Sequence, residues 1–287
     1  MPVFVSTTYR ENGTLTTEVV EELLANGIYN IELGSIHKEE ADLRDKLLSF
    51  NGNYITHNFF PPDNSRIVLN LASIDESIRR GSIEFIKNAL DFAVSIKAKI
   101  YTVHPGFLVH PKGEGIEGGS YDFKFDIDKD KLNIALFNRC NELFVESLKE
   151  LDYHIEDKPI RIAVETQGAI EKKDILLFSK PADYKLFFEA KFSEKIGINL
   201  NLAHTHLASI AWDFDKTAFL NEIKDSVIAI EASHNDGTRD DHVALKEGGW
   251  YFDDLQLFKG WDIPMIVETR FTSMRSVKNS VRMLNDI

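Results

Sequence analysis

Eight short apolar runs recur along this chain, and longer segments with helical periodicity separate them. Each run is nearly continuous in aliphatic, β-branched and aromatic residues, which is typical of parallel strands that helices cover on both faces. The eight runs are residues 3–7, 29–33, 54–57, 100–104, 160–165, 196–200, 227–231 and 264–268. Eight strand–helix pairs without a break in composition predict one α/β domain over residues 1–287, closed into a (β/α)₈ TIM barrel.

The segments between the runs carry recognisable helix signals. Ser73-Ile74-Asp75-Glu76 matches a capping box, in which the Ser oxygen and the Glu carboxylate bind free backbone N–H groups, and it predicts the start of a long helix. Leucines spaced along one helical face predict a second helix over about 131–151. Shorter helices are predicted at 17–25, 39–49, 181–191, 216–224 and 273–284. An open doubly wound sheet is the alternative, but no Gly-rich phosphate-binding motif follows the first strand.

Length and charge restrict the function further. A chain of 287 residues suits a barrel of this type, which typically needs about 250, and a hydrophobic share of 43% can fill its core. Cys140 is the only cysteine, so an internal disulfide is excluded, and its helical setting predicts a packing role. No run approaches the roughly 20 apolar residues of a membrane span, and we expect a cytoplasmic protein. The net charge of −13 disfavours a general nucleic-acid binder, because phosphate contacts require a cationic surface.

Side chains that bind metals stand at or just after the carboxyl ends of six predicted strands. They are His57, His104, Glu165, His204, His234 and Glu268. The carboxyl ends of barrel strands converge on the face that carries the active site, so these groups should surround one axis. Nitrogen and carboxylate donors together suit Zn²⁺, Mn²⁺ or Co²⁺ better than Ca²⁺. Glu165 and Glu268 could also transfer protons, because a carboxylate held near a substrate carbon is a good general base.

The segment 234–242 is the densest polar stretch of the chain. Asp240 and His242 lie two residues apart, so an extended backbone would direct both side chains the same way. Together with His204 they could hold a further metal. A solvated turn is the alternative, since Asn-Asp-Gly is strong turn chemistry. The paired histidines favour the metal site.

Other side chains near the predicted barrel mouth suggest substrate contacts. Arg239 and Lys246 could bind a phosphate or carboxylate group, or could pair with acidic residues. Trp250 could form a wall of a sugar pocket, with packing as the alternative. His206, two residues after His204, is either a support for the metal ligands or a packing residue.

The remaining polar features are predicted to be solvent-facing. His37, His110 and His154 fall in loop or helix surroundings, and we expect all three to be solvated. The stretch 107–129 is rich in glycine and charge, and it predicts a long loop over the barrel mouth.

These residues together resemble the xylose isomerase-like barrel superfamily, which includes sugar isomerases and epimerases and the endonuclease IV family. The resemblance covers the chain from the third predicted strand to the end. The matching motifs are His57 followed by Asn70-Leu71-Ala72-Ser73, then His104-Pro105-Gly106, Glu165, His204, His234-Asn235-Asp236, Asp240-x-His242 and Glu268. The resemblance implies an enzyme that uses one to three divalent ions per chain, Zn²⁺ or Mn²⁺.

The two branches of the superfamily imply different ligand sets. The endonuclease branch implies three zinc ions, held by His57, His104 and Glu165, by Glu165, Asn201, His234 and Glu268, and by His204, Asp240 and His242. The isomerase branch implies one metal on the second of these sets, with one glutamate removing a carbon-bound proton and the other returning one. Asn201 departs from both branches, which usually have an aspartate there. Its amide oxygen brings no negative charge, so we expect weaker metal binding and leave the number of ions open.

Three functions follow from these expectations. The preferred one is an isomerase or epimerase of a small sugar or sugar phosphate, favoured by the paired glutamates and the acidic chain. The second is a metal-dependent phosphodiesterase acting on abasic DNA. The ligand list favours it, whereas the lack of Arg- or Lys-rich loops for holding a bent duplex disfavours it. The third is a barrel that binds a metal or a sugar without catalysis, which Asn201 makes conceivable. The sequence indicates neither an oligomeric state nor a particular sugar.

Overall fold

Eight parallel strands form a closed barrel in the computed structural model, which describes residues 1–34, 36–62, 68–111, 132–168 and 175–287. Each strand pairs with the next along the chain, and the last pairs with the first. The strands are β1 Val3–Ser6, β2 Asn30–Leu33, β3 Asn53–Thr56, β4 Ile100–Val103, β5 Arg161–Glu165, β6 Ile196–Asn201, β7 Val227–Ala232 and β8 Met265–Val267. The predicted (β/α)₈ barrel is therefore confirmed, and every predicted strand contributes to it.

Helices surround the barrel and cover its outer face. In the described residues they are α1 Thr16–Ala25, α2 Leu43–Ser49, α3 Glu76–Ser95, α4 Ile134–His154, α5 Lys185–Glu189, α6 Leu202–Trp212, α7 Lys216–Ile223, α8 Tyr251–Gln256 and α9 Met274–Asn285. Their apolar faces and the outward-facing strand residues form one large buried cluster, to which Leu23 of α1 and Leu90 of α3 belong. Each fully buried leucine of this kind stabilises the fold by roughly 2–3 kcal/mol.

The interior of the barrel changes from apolar to polar along the strands. Side chains of a strand alternate between its two faces, so residues two apart share the interior. A small apolar cluster fills the lower interior and consists of Phe4, Ile55, Ile100, Ala163, Ile228, Ala229 and Ile266. Two residues after five of these positions come His57, Thr102, Glu165, Glu231 and Glu268, all buried. The alternation therefore directs a set of polar groups to the barrel axis at the carboxyl ends of the strands.

The start of α3 differs from the prediction. The helix begins at Glu76, and the carboxylate of Asp75 caps it by accepting the backbone N–H groups of Ser77 at 2.9 Å and Ile78 at 3.4 Å. The hydroxyl of Ser73 accepts the N–H of Asp75 instead. The predicted capping box is wrong because the aspartate, two residues later, takes over the capping role.

Other predicted segments agree only partly with the fold. Residues 181–191 form a short 3₁₀ turn at Pro181–Tyr184 followed by α5, and α8 was not predicted. Of the predicted loop 107–129, residues 112–129 lie outside the described residues. Cys140 is buried in α4, in agreement with a packing role.

His37 is buried, and its predicted solvation is wrong. One ring nitrogen lies 2.8 Å from the hydroxyl of Thr7, and the other lies 3.2 Å from the carbonyl oxygen of Thr14. Burial lowers the pKa of His37 to about 4, so the ring is neutral and fully hydrogen-bonded at neutral pH. Among the described residues, no helix combines the length and the apolar character that crossing a membrane requires.

Candidate metal centre

Metal-binding side chains meet inside the carboxyl-terminal half of the barrel, because closure brings distant strands around one axis. Among the described residues, three groups of His and carboxylate side chains have ligand atoms within 4.8 Å of one another. They are the upper group of His57, His104 and Glu165, the mouth group of His204, Asp240 and His242, and the deep group of Glu32, His57 and Glu231. The first two groups consist of predicted ligands, whereas Glu32 and Glu231 of the deep group were not predicted.

In the upper group, the carboxylate of Glu165 lies between two imidazoles. Its Oε2 is 2.9 Å from Nε2 of His104 and 3.9 Å from Nε2 of His57. The two rings pack edge to face, with their centroids 5.5 Å apart. Glu165 is the last residue of β5, and the histidines directly follow β3 and β4, so the register of the barrel assembles the group. Two imidazole nitrogens and a carboxylate oxygen suit Zn²⁺ or Mn²⁺.

In the mouth group, Asp240 lies between two histidines. Its Oδ2 is 3.0 Å from Nε2 of His204 and 2.7 Å from Nε2 of His242. His204 lies in the first turn of α6, and its Nδ1–H donates to the carbonyl of Thr166 at 2.9 Å. This hydrogen bond fixes the ring and leaves Nε2 directed at Asp240, which is how metal-binding histidines are commonly oriented.

The two predicted catalytic glutamates are in contact with this network. Oε1 of Glu165 lies 3.0 Å from Nδ1 of His204, and Oε2 of Glu268 lies 3.1 Å from Nδ1 of His242. Burial raises the pKa of Glu165, but His104 and His204 outweigh burial and hold the pKa well below its usual range. For Glu268, burial is outweighed mainly by His242, and the pKa falls to about 2. Both side chains are therefore ionised at neutral pH, as a metal ligand or a general base must be.

The deep group lies below the upper group and shares His57 with it. Nδ1 of His57 lies 3.5 Å from a carboxylate oxygen of Glu32 and 3.5 Å from one of Glu231. Burial and then the neighbouring carboxylates of Glu165, Glu268 and Glu32 raise the pKa of Glu231 well above its usual range. Neither glutamate was among the predicted ligands, although Glu231 ends the seventh apolar run just as Glu165 ends the fifth.

Asn201 connects two of the buried carboxylates. Its amide nitrogen donates to Oε1 of Glu165 at 3.1 Å and to Oε2 of Glu231 at 2.9 Å, while its amide oxygen accepts the N–H of His204 at 3.1 Å and caps α6. An aspartate at this position could donate neither hydrogen bond. The ligand role implied by the resemblance requires the oxygen, which here is bound to the helix cap.

The side chain of His234 does not form the ligand group with Glu165 and Glu268 that the resemblance implied. Among the described side chains, it belongs to none of the groups whose ligand atoms lie within 4.8 Å of one another. It lies two residues beyond the end of β7, where its backbone pairs with Val243 in an isolated antiparallel bridge. There its ring packs against Tyr251, with centroids 6.0 Å apart.

The three predicted substrate-binding residues lie at or outside the rim. The side chain of Arg239 is 79% exposed and pairs with Asp241 at 2.7 Å, and Lys246 is also exposed. Trp250 stacks on His206, with ring centroids 4.0 Å apart and planes inclined by 16°. This stacking favours the packing alternative for Trp250 and His206, and the contacts with substrate stay predictions.

Comparisons with known sequences agree with the fold. A family model described as xylose isomerase-like TIM barrel matches residues 21–287. The uncharacterized protein MJ1614 of Methanocaldococcus jannaschii is 26% identical over 191 residues, which cover 66% of this chain and 61% of that protein. MJ1311 of the same organism is 23% identical over 190 residues, 64% of this chain and 54% of that protein. The chain thus spans less than two thirds of the length of these curated relatives.

Solved structures share the whole barrel. A D-tagatose 3-epimerase-like protein superimposes with a TM-score of 0.76 at 19% identity, covering 100% of this chain and 96% of that one. The TTHB071 protein of Thermus thermophilus, soaked with ZnCl₂, gives 0.64 at 17% identity, with 100% and 99% coverage. D-Allulose 3-epimerase from Methylomonas sp. in complex with D-allulose gives 0.63 at 10% identity, with 99% and 90% coverage. Since the family model matches nearly the entire chain and the barrel is closed as that family requires, the chain belongs to the xylose isomerase-like TIM barrel family.

Proposed function

We propose that this protein is a divalent-metal-dependent isomerase or epimerase acting on a sugar or sugar phosphate. The observation that carries the proposal is the pair of buried, ionised glutamates, Glu165 and Glu268, each in contact with histidines of metal-binding type. Relatives in fold include proteins named as sugar epimerases, which supports the same class of chemistry.

The residues present fit a divalent metal. Within the described part of the chain, the ion pairs of Glu165, Glu231 and Glu268 are all with histidines, and none is with lysine or arginine. The imidazoles beside these carboxylates can exchange their ring protons for a metal ion, which supplies the same compensating positive charge. The upper group and the mouth group would each offer three ligand atoms to one ion, which would account for two of the one to three expected ions. A bound Zn²⁺ or Mn²⁺ supplies positive charge that polarises the neighbouring oxygens of a sugar.

The two glutamates can divide the proton transfers of an epimerisation between them. Epimerisation removes a proton from one face of a carbon and returns a proton to the opposite face, so it needs groups on both sides. Glu165 ends β5 and Glu268 follows β8, which places them three strands apart around the barrel. Glu165, as a carboxylate, would accept the carbon-bound proton, and Glu268 would deliver the proton to the other face after taking it up from solvent or a sugar hydroxyl.

Deuterium exchange tests this proposal directly. The purified protein, loaded with Mn²⁺ or Zn²⁺, is incubated in D₂O with a panel of ketoses, inososes and their phosphates, and exchange at carbon is followed by NMR. We expect exchange with one member of the panel, and we expect Glu165→Gln and Glu268→Gln to reduce its rate by roughly 10²- to 10⁴-fold, the usual contribution of a general base.

The matched control is Glu150→Gln, which removes a carboxylate paired with Arg80 and Lys87 on the surface. This variant should keep the rate of the parent protein. Exchange that persists unchanged in both Glu165→Gln and Glu268→Gln would contradict the assigned roles.

A metal-dependent phosphodiesterase is the second candidate, and one specific observation favours it. The upper and mouth groups use separate ligands, which permits a multi-metal site of the kind that cleaves phosphate esters. Against it, Arg239 is paired with Asp241 at the rim, and the chain carries a net charge of −13. Nicking of an abasic-site duplex that disappears in Glu165→Gln, without deuterium exchange into any sugar, would replace the first proposal by this one.

A further inference from the structure

The deep group occupies a part of the barrel that the proposed reaction does not use. Glu32 lies in β2 and Glu231 in β7, and both carboxylates are fully buried. His57 follows β3 and is almost fully buried as well. Strand alternation places His57 and Glu231 two residues beyond Ile55 and Ala229 of the apolar cluster, and Glu32 pairs with Ile55 in the register of β2 and β3, so apolar side chains border the group on this side.

Glu32 is the unusual member of this group, because its charge has no hydrogen-bonded partner. Neither of its carboxylate oxygens has a hydrogen-bond partner, and neither is reached by solvent. Its ion-pair contact is with Nδ1 of His57, at 3.5 Å. An ionised carboxylate buried in this way is penalised by several kcal/mol unless a positive charge lies beside it. The orphaned carboxylate, aimed into the group, is independent evidence that a ligand belongs there.

The distances indicate what kind of ligand fits. Nδ1 of His57 is equally far, 3.5 Å, from oxygens of Glu32 and Glu231. This separation is long for a hydrogen bond but matches two ligands of one tetrahedral cation, which lie about 3.3–3.6 Å apart when each bond is 2.0–2.2 Å. The hydroxyl of Thr102, 2.7 Å from the same nitrogen, can hydrogen-bond to it or add a neutral oxygen to the set.

Charge and orientation point to the same ligand. Once Glu231 has released its proton to solvent on metal binding, two carboxylates and one divalent cation sum to zero, which is the favourable balance in a region that excludes water. Both oxygens of Glu231 are held by amide donors, Oε1 by Asn199 at 2.8 Å and Oε2 by Asn201 at 2.9 Å. Such hydrogen bonds fix a ligating carboxylate and are typical of the surroundings of metal sites.

We propose that Glu32, His57 and Glu231 bind a divalent transition-metal ion, Zn²⁺ or Mn²⁺, inside the barrel beneath the site of the proposed reaction. His57 would then bridge two ions as an imidazolate, with Nδ1 toward the deep site and Nε2 toward Glu165 of the upper group, after its remaining ring proton is released to solvent. The deep ion neutralises charge within the barrel and holds the ring of His57. This inference concerns binding alone and does not depend on which reaction the protein catalyses.

The test counts ions in the absence of substrate. The full chain is stripped with a chelator, reloaded with Zn²⁺ alone and desalted, and the zinc per chain is measured by mass spectrometry for the parent protein, Glu32→Gln, Glu231→Gln and Asp240→Asn. We expect Glu32→Gln and Glu231→Gln each to bind one ion fewer than the parent. Asp240→Asn, the matched control in the mouth group, should lose a different ion, so the double variant with Glu32→Gln should bind two fewer.

One result overturns the inference. If Glu32 were merely protonated, Glu32→Gln would mimic the neutral acid, and the ion count would equal that of the parent protein. Should the glutamine variants fail to fold, diffraction from crystals of the parent protein at the zinc absorption edge decides the question. An anomalous peak between the carboxylates of Glu32 and Glu231 supports the site, and zinc bound only at the upper and mouth groups refutes it.

Discussion

The mouth group and the deep group contain the same kinds of side chains, His and carboxylate, but differ in the hydrogen bonds and solvent contact of their carboxylates. In the mouth group, one oxygen of Asp240 is within hydrogen-bond distance of both His204 and His242, and the aspartate side chain is 32% exposed. In the deep group, the oxygens of Glu32 are shielded from solvent and lie 3.5 Å or more from the nearest imidazole nitrogen. Without an ion, the mouth group keeps its hydrogen bonds around a partly exposed aspartate, whereas the buried carboxylate of Glu32 has the ring of His57 beside it at 3.5 Å and no hydrogen bond.

This difference indicates that losing a bound ion should affect the stability of the fold differently in the mouth group and in the deep group. At the mouth, an ion can be gained or lost with little effect on the fold, which suits a group that meets substrate. In the interior, an ion replaces solvation that the barrel has removed, so its loss should weaken the fold. Each of the following predictions strengthens or breaks this distinction.

The largest change in the free energy of unfolding should come from removal of the metal. A ligand that binds only the folded state at about 1,000 times its Kd stabilises that state by about 4 kcal/mol. We therefore expect chelation to lower the free energy of unfolding, measured in guanidinium chloride, by about 4 kcal/mol. Most of this loss should disappear when the same comparison is made in Glu32→Gln, whereas Asp240→Asn should retain it. Equal losses in the two variants would remove the distinction between the groups.

An intermediate effect on the free energy of unfolding should come from protonation of His37 in acid. This residue is a reference, because it is a buried histidine whose hydrogen-bond partners are a hydroxyl and a carbonyl rather than a carboxylate. Its pKa is about 4 in the folded protein against about 6.5 in an unfolded chain, so its stabilising contribution is complete above pH 6.5 and is lost as the pH falls toward 4. This difference in pKa corresponds to about 3 kcal/mol.

The His37→Gln variant tests this expectation by denaturant titration between pH 7 and pH 4. Its free energy of unfolding should depend less on pH over this interval than that of the parent protein. The neighbouring surface variant Lys38→Gln is the control and should follow the parent curve. A parent-like pH dependence in His37→Gln would show that the acid sensitivity arises elsewhere.

The smallest change in free energy should come from Asn201→Asp. This substitution adds a carboxylate between Glu165 of the upper group and Glu231 of the deep group. The aspartate would bring a negative charge next to Glu165 and Glu231 and would lose both amide hydrogen bonds to them. We expect zinc to bind about tenfold more tightly by calorimetry, in line with the sensitivity of metal sites to neighbouring groups. The metal-free variant should be less stable than the parent, because three carboxylates then repel one another. Unchanged zinc affinity would indicate that residue 201 contacts no bound ion.

Part of the site could be predicted because strand ends converge in any closed barrel. His57, His104 and Glu165 were identified at the ends of apolar runs, and the barrel brings them together as expected. His234 lies two residues beyond the end of β7, so the convergence of strand ends does not by itself direct its side chain, and its ligand role stays a prediction. The alternation of strand side chains, counted from the inward-facing Ala229, identifies Glu231 at the end of its run as an inward-facing group.

The burial of His37 and the pairing of Glu32 with Glu231 could not be read in this way. His37 is buried by Thr7 and Thr14, which precede it in the chain by 30 and 23 residues. Glu32 and Glu231 belong to β2 and β7, and nothing local in either strand indicates that the two carboxylates share one histidine. Such contacts depend on the shear and tilt of the barrel, which are properties of all eight strands together.

By itself, the amino-acid sequence determined the number and order of the strands, the fold class and the set of ligand types at the strand ends. These features follow from local patterns, namely the hydrophobicity of short runs and the position of polar residues within them. The tertiary structure alone decided that Asn201 joins two carboxylates, that His57 has a nitrogen in each of two groups, and that Glu32 is left without a hydrogen bond. The physical reason is that desolvation and charge compensation act between residues that only the closed barrel brings together.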